Sequence, residues 1–157
     1  MSLSAVDIFL KPNSVVLDIQ AKCKREALQE VSAVAANAAN MPASDIINAI
    51  FEREQLGSTA VGKGVAIPHG KIENLDEITG VLVRLEKPVE FDSMDEQPVD
   101  IIFMLLAPAN ATAAHLKALA KVSRFLRDAD AIKAIRGAES TEAVYAIAVD
   151  SKHDHAA

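Results

Sequence analysis

Among the four histidines of the chain, His69 is the one most restricted by its neighbours. It closes a short apolar run within Gly62-Lys63-Gly64-Val65-Ala66-Ile67-Pro68-His69-Gly70-Lys71. Pro68 fixes its own φ and pushes Ile67 towards extended geometry, while Gly70 permits a backbone conformation, or an approach by another molecule, that a side chain would block. The spacing predicts a rigidly framed turn that holds the imidazole. A neutral imidazole nitrogen can attack, accept and release a phosphoryl or acyl group near neutral pH, so the chemistry expected of His69 is nucleophilic group transfer. Taken alone, Pro-His-Gly also fits an ordinary loop histidine, and other residues must decide.

His115 precedes Leu119 by four residues and Val122 by seven, so its side chain shares or borders the buried stripe of a predicted helix. It is either a hydrogen-bonded structural histidine at a helix N-terminus or a companion to His69 at the carboxyl ends of the strands, where open α/β folds place their sites. Arg53 follows Ile46 by seven residues and flanks the buried face of another predicted helix, close to its C-terminus. A cation there suits the helix dipole. If the glycine-rich turn that follows folds back, the planar guanidinium could also clamp phosphoryl oxygens. Glu54, Lys63 and Lys71 are weaker candidates, expected to be solvated surface charges.

Two other chemistries are weighed and set aside. Residues 57–64 nearly match a phosphate-cradling loop, but Gly64 stands where a magnesium-binding Ser or Thr belongs. The segment also follows a helix and precedes an extended run, the reverse of the context that loop needs. A nucleotide-binding module would depend on Lys63. His69 and His115 with a carboxylate could form a zinc site and a metal-dependent hydrolase, yet the chain has no helical His-x-x-x-His and no Cys pair. No metal is expected; His153 and His155 in the tail could pick one up adventitiously.

The elements that must position these residues can be traced through the chain. Residues 15–19 read as a strand and 24–40 as a helix carrying Leu28, Val31, Ala35 and Ala38. A second helix follows Ser44 or Asp45 as its N-cap, buries Ile46, Ile47, Ile50 and Phe51, and is ended by Gly57. Alternation over 78–86 predicts a strand with one protected face, away from the sheet centre. The nearly continuous apolar run 99–107, between Pro98 and Pro108, predicts a central strand covered on both faces. A helix starting near Asn110 or Thr112 carries Leu116, Leu119, Val122 and Leu126, and 141–149 reads as another. The fold class is therefore α/β, a mixed sheet of about five strands with helices on both faces.

At 157 residues, half of them hydrophobic, residues 1–150 are expected to form one domain, with 151–157 a polar, disordered tail. The net charge of −6 and the scarcity of aromatic residues argue against a nucleic-acid partner. No run is long and apolar enough for a membrane span, and no secretion signal is visible, so a cytoplasmic protein is expected. Cys23, the one cysteine, is expected to be a reduced thiol near a helix start.

Several motifs in order then resemble one family, the enzyme IIA domains of the bacterial phosphotransferase system, of the fructose/mannitol type and most like its nitrogen-regulatory branch. They are Phe51-Glu52-Arg53-Glu54-Gln55-Leu56-Gly57-Ser58-Thr59, the Gly-Val-Ala-Ile-Pro-His-Gly segment, the run from Pro98 to Pro108, and His115-Leu116-Lys117-Ala118-Leu119-Ala120. The resemblance implies a mannitol-type IIA fold in which His69 is phosphorylated by a small HPr-like phosphocarrier, itself charged from phosphoenolpyruvate. It puts Arg53 and His115 beside that histidine, Pro68 and Gly70 as its backbone support, and no cofactor. The phosphoryl group would either regulate which target proteins bind or pass to a IIB cysteine. The absence of room for a fused IIB, transporter or carrier domain, and the Glu-Arg-Glu-Gln-Leu-Gly-Ser-Thr segment, favour regulation. One departure is Asp95-Glu96, where many relatives have Asp-Gly, and it touches only the shape of that turn.

Overall fold

The computed structural model describes Val6 and residues 9–150, so His153 and His155 lie outside the described residues. Its elements are β1 (Leu10–Ile19), α1 (Lys24–Ala39), α2 (Ala43–Glu54), β2 (Ala60–Gly62), β3 (Val65–Ala66), β4 (His69–Ile72), β5 (Thr79–Val89), β6 (Val99–Pro108), α3 (Thr112–Phe125), α4 (Ala129–Gly137) and α5 (Thr141–Ala148). One mixed sheet of six strands has the order β1-β5-β6-β3-β2, with β4 also paired to β6. β1 is parallel to β5, β3 and β4 are parallel to β6, and β5 is antiparallel to β6.

Strand β6 divides the core because successive side chains point to opposite faces and both faces are covered. On one side Ile101, Phe103 and Leu105 meet Val122 of α3, Ile132 of α4 and Val144 of α5. On the other, Ile102, Met104 and Leu106 meet Leu28 of α1 and Ile50 of α2. Helices thus cover both faces, as the sequence predicts, and β6 is the central strand.

Strand β5 departs from expectation. It lies between β1 and β6, and Val81, Leu82 and Val83 are all buried. Its polar Arg84 does not mark a solvent face: Nη1 donates to the Ile135 carbonyl at 2.9 Å and the Ala138 carbonyl at 2.7 Å, satisfying the C-terminal end of α4. Helix α4 itself is absent from the sequence reading, although Asp128 caps it by accepting from the Asp130 and Ala131 amides.

Helix α2 begins one residue before Ser44, with Pro42 at the cap and no side-chain capping bond, so neither Ser44 nor Asp45 is the N-cap. Proline can stand there because a cap need not donate an intrahelical bond. The helix ends at Glu54; Gly57 closes the turn beyond it through its N–H to the Glu54 carbonyl. Cys23 is exposed and unpaired at the start of α1, as expected. Before β6, Glu96 takes the left-handed conformation at φ 60°. Glycine would suit that geometry. Asp95 keeps the turn by accepting from the Lys63 amide at 2.8 Å and the Gln97 amide at 3.1 Å.

Candidate functional site

β3 and β4 lie end to end along one edge of β6 in one register, with Val65 opposite Ile101 and His69 opposite Leu105. The break falls at Ile67-Pro68, where proline has no N–H for the ladder. The Pro68 carbonyl still accepts from the Leu105 amide at 2.9 Å, while the Ile67 amide turns away to the Thr59 carbonyl at 3.0 Å. His69 is therefore the first residue of a strand rather than part of a turn, and the central strand holds it. Gly70 takes no positive φ, so the unusual backbone conformation is not what it serves; it lines the cleft beside His69, and a Cβ there would meet Ala49 Cβ of α2 at 3.4 Å, an ordinary contact.

The two nitrogens of His69 have different neighbours. Nδ1 is 2.8 Å from the Ile67 carbonyl oxygen, which can only accept, so Nδ1 carries the proton and donates. Nε2 is left with its lone pair, towards which Arg53 Nε–H points at 3.3 Å. Burial lowers the His69 pKa; the Ile67 carbonyl opposes this, Arg53 adds to it, and Glu54 opposes it more weakly. The ring is neutral near pH 7. Arg53 also donates through Nη1 to the Gly57 carbonyl at 2.9 Å, so the turn after α2 does fold back onto it.

His115 is 6% exposed, and its ring stands edge-on to that of His69 with centroids 5.7 Å apart. Its Nε2 is buried and has no hydrogen-bond partner. Burial, then the positive charges that His69 and Lys71 can carry, lower its pKa, so at rest this ring is neutral too. A neutral imidazole still offers one N–H. Lys71, two residues along the strand from His69, is exposed and donates to Thr112 Oγ1 at the start of α3 at 3.0 Å.

Arg53, His69, Lys71 and His115 line a cleft of about 440 Å³ between α2, β4 and α3. Its rim is apolar: Leu56 is 83% and Leu116 63% exposed, so Leu116 belongs to the cleft and not to the core stripe of α3. A larger cleft of about 570 Å³, beside Gln20, Lys22 and Glu86, is lined by no histidine, cysteine, serine or threonine.

The weaker candidates separate. Glu54 is not solvated, since its carboxylate pairs with Lys24 at 2.8 Å and accepts from Thr59. Lys63 is exposed and forms, with Gly64, a two-residue turn between antiparallel β2 and β3 in which both φ are positive, 57° and 80°. This is the hairpin geometry that glycine-containing pairs favour, not a phosphate-binding loop. Among the described residues no group of three or more His, Cys, Asp or Glu side chains could hold a metal ion.

The family described as "Phosphoenolpyruvate-dependent sugar phosphotransferase system, EIIA 2" matches residues 8–150. The chain belongs to this family. A nitrogen regulatory protein of Bradyrhizobium diazoefficiens is 45% identical over 136 residues, 87% of this chain and 89% of that protein. The crystal structure of nitrogen regulatory protein IIA-Ntr from Neisseria meningitidis superposes with a TM-score of 0.86 at 34% identity, covering 92% of this chain and 99% of that one. The Escherichia coli mannitol IIA, solved in complex with phosphorylated mannitol IIB, gives 0.75 at 18% identity over 89% of this chain and 98% of that one, a likeness of fold. The type-2 EIIA fold is thus the mannitol-type sheet expected from the sequence. No helix among the described residues of this EIIA chain is long and apolar enough to cross a membrane.

Proposed function

We propose that the protein is a phosphohistidine carrier whose phosphorylation state governs the proteins it binds. An HPr-like phosphocarrier, charged from phosphoenolpyruvate, presents the phosphoryl group to His69. The bond from Nδ1–H to the Ile67 carbonyl carries this reading. With the proton on Nδ1, Nε2 attacks phosphorus without a general base, and the phosphorylated ring keeps the same Nδ1–H bond. No metal, nucleotide or other cofactor is required.

Phosphoryl transfer passes through a loose in-line transition state, so positioning and charge stabilisation do the catalysis. As the bond to the donor breaks and Nε2–P forms, Arg53 donates to equatorial oxygens instead of to Nε2. The unpartnered Nε2 of His115 donates a second hydrogen bond. Pro68 and Gly70 hold the backbone beneath. Because the donor chain starts from phosphoenolpyruvate, the protein works in the cytoplasm.

The similarity to nitrogen regulatory proteins supports the regulatory use. A phosphoryl group adds roughly −1.5 to −2 charge, by analogy with other phosphorylated side chains, between Leu56 and Leu116. An apolar rim that suits one partner then suits another. The test is intact mass after incubation with phosphoenolpyruvate and the upstream phosphotransferase proteins. One acid-labile phosphoryl group is expected on the wild type and none on His69→Ala; uptake by that variant overturns the assignment. Discharge onto a IIB cysteine, with no phosphorylation-dependent target binding, would make the protein a sugar-specific IIA.

A further inference from the structure

Arg53 and Glu54 are neighbours in the last turn of α2, yet only Arg53 reaches His69 directly. The Glu54 side chain is 7% exposed, a costly place for a carboxylate unless it is paired and hydrogen-bonded. Lys24 Nζ meets one oxygen at 2.8 Å. The other accepts from the Thr59 hydroxyl and from the Thr59 amide at 3.3 Å. Lys24 is steadied in turn by Asp92 at 3.6 Å and by the Phe91 ring, whose centroid is 4.9 Å away.

The fixed Thr59 leads straight to the imidazole. Its carbonyl takes the Ile67 amide at 3.0 Å, and the Ile67 carbonyl takes His69 Nδ1–H at 2.8 Å. Two residues earlier on the same loop, the Gly57 carbonyl takes Arg53 Nη1 at 2.9 Å, and Arg53 Nε faces His69 Nε2. Both ring nitrogens are therefore referenced to the loop that Glu54 clamps. We infer that Glu54, held by Lys24, is a positioning residue for phosphoryl transfer, setting the tautomer and orientation of His69 through Thr59 and Ile67. The inference rests on the phosphoryl-accepting reading of His69. Second residues that orient an imidazole through its other nitrogen commonly control its tautomer and basicity.

The test reads the tautomer and the rate separately. Thr59→Val keeps the shape and the main-chain N–H but removes the hydroxyl, Thr59→Ser restores it, and Glu54→Gln removes the charge. Nitrogen-15 shifts of the His69 ring report which nitrogen carries the proton. Wild type and Thr59→Ser are expected to hold the proton on Nδ1. Thr59→Val and Glu54→Gln are expected to gain the Nε2–H form and to take up phosphoryl about tenfold more slowly, with donor affinity unchanged. Should Glu54→Gln fail to fold, the Thr59 pair decides alone. A folded Thr59→Val with the wild-type tautomer overturns the inference, whether or not its uptake is slow. If wild-type His69 takes up no phosphoryl group, the proposed function fails instead, and the ring shifts still report on the clamp.

Discussion

At the scale of the residue, the two facing imidazoles are kept neutral by burial and by nearby cations, which decides when His69 can react. A protonated Nε2 has no lone pair, so phosphoryl uptake should be flat above pH 7. It should decline only as pH falls below the ordinary imidazole value of about 6.5. A rate profile of the wild type checks this, and an inflection above that value contradicts it. The same shifts act on stability. Unfolding frees both rings to take protons at their ordinary value, so their contribution is complete above about pH 6.5 and is lost as pH falls through the lower folded values. Arg53 adds a second prediction. Lysine carries a point charge with no fork, so Arg53→Lys cannot serve Gly57 and His69 together. Uptake should fall about tenfold to a hundredfold, or about 1.4–2.7 kcal/mol of barrier, measured as the single-turnover rate with excess donor. Arg53 and His115 are legible in the sequence because helix spacing puts them beside buried faces. The acceptor for Nδ1 is not, because a backbone carbonyl has no sequence signature and enters only through the strand register at Ile67.

At the scale of the element, strain and pattern separate what the sequence reveals from what it hides. Glu96 sits at φ 60° in the turn that feeds β6, a region costing a residue with Cβ about 1–2 kcal/mol. Glycine gives back part of that through the entropy of its unfolded chain. Glu96→Gly should therefore stabilise the protein by about 0.5–1 kcal/mol, read from the urea midpoint at constant slope. A lower midpoint would mean that the Glu96 side chain contributes more than its backbone costs. β6 is legible because its continuous apolar run is short and bounded by Pro98 and Pro108, and α3 because its apolar residues keep a 3.6-residue period. β5 misleads because Arg84 reads as solvent-facing while its guanidinium is spent on the α4 carbonyls. The short β2, β3 and β4 carry too few residues for a period to show, and their pairing depends on β6, which comes later in the chain.

At the scale of the whole molecule, the site hangs on the most buried strand, and this limits what phosphorylation can change. Leu105, opposite His69, is fully buried in the cluster formed with α3, α4 and α5, and Leu106 beside it is buried in the cluster with α1 and α2. Cores packed at crystal-like density do not deform gradually, so a new charge at Nε2 should act on the cleft surface and leave the sheet unchanged. Phosphorylation is therefore expected to shift amide resonances in 53–59, 67–72 and 112–119 and to leave β1 and α5 unmoved. Shifts spread through β1 would point to a fold-wide rearrangement instead. The molecule already carries a net charge of −6, so the added charge deepens an acidic field against acidic partners and helps only those with cations opposite the cleft. It follows that His69→Ala, which keeps the Leu56 and Leu116 rim and cannot be charged, should bind targets of the unphosphorylated form as tightly as wild type does. It should stay bound when phosphoenolpyruvate and the upstream proteins release the wild type. Titration calorimetry with and without phosphorylation distinguishes this from recognition of the His69 ring itself, for which His69→Ala would lose binding in both conditions.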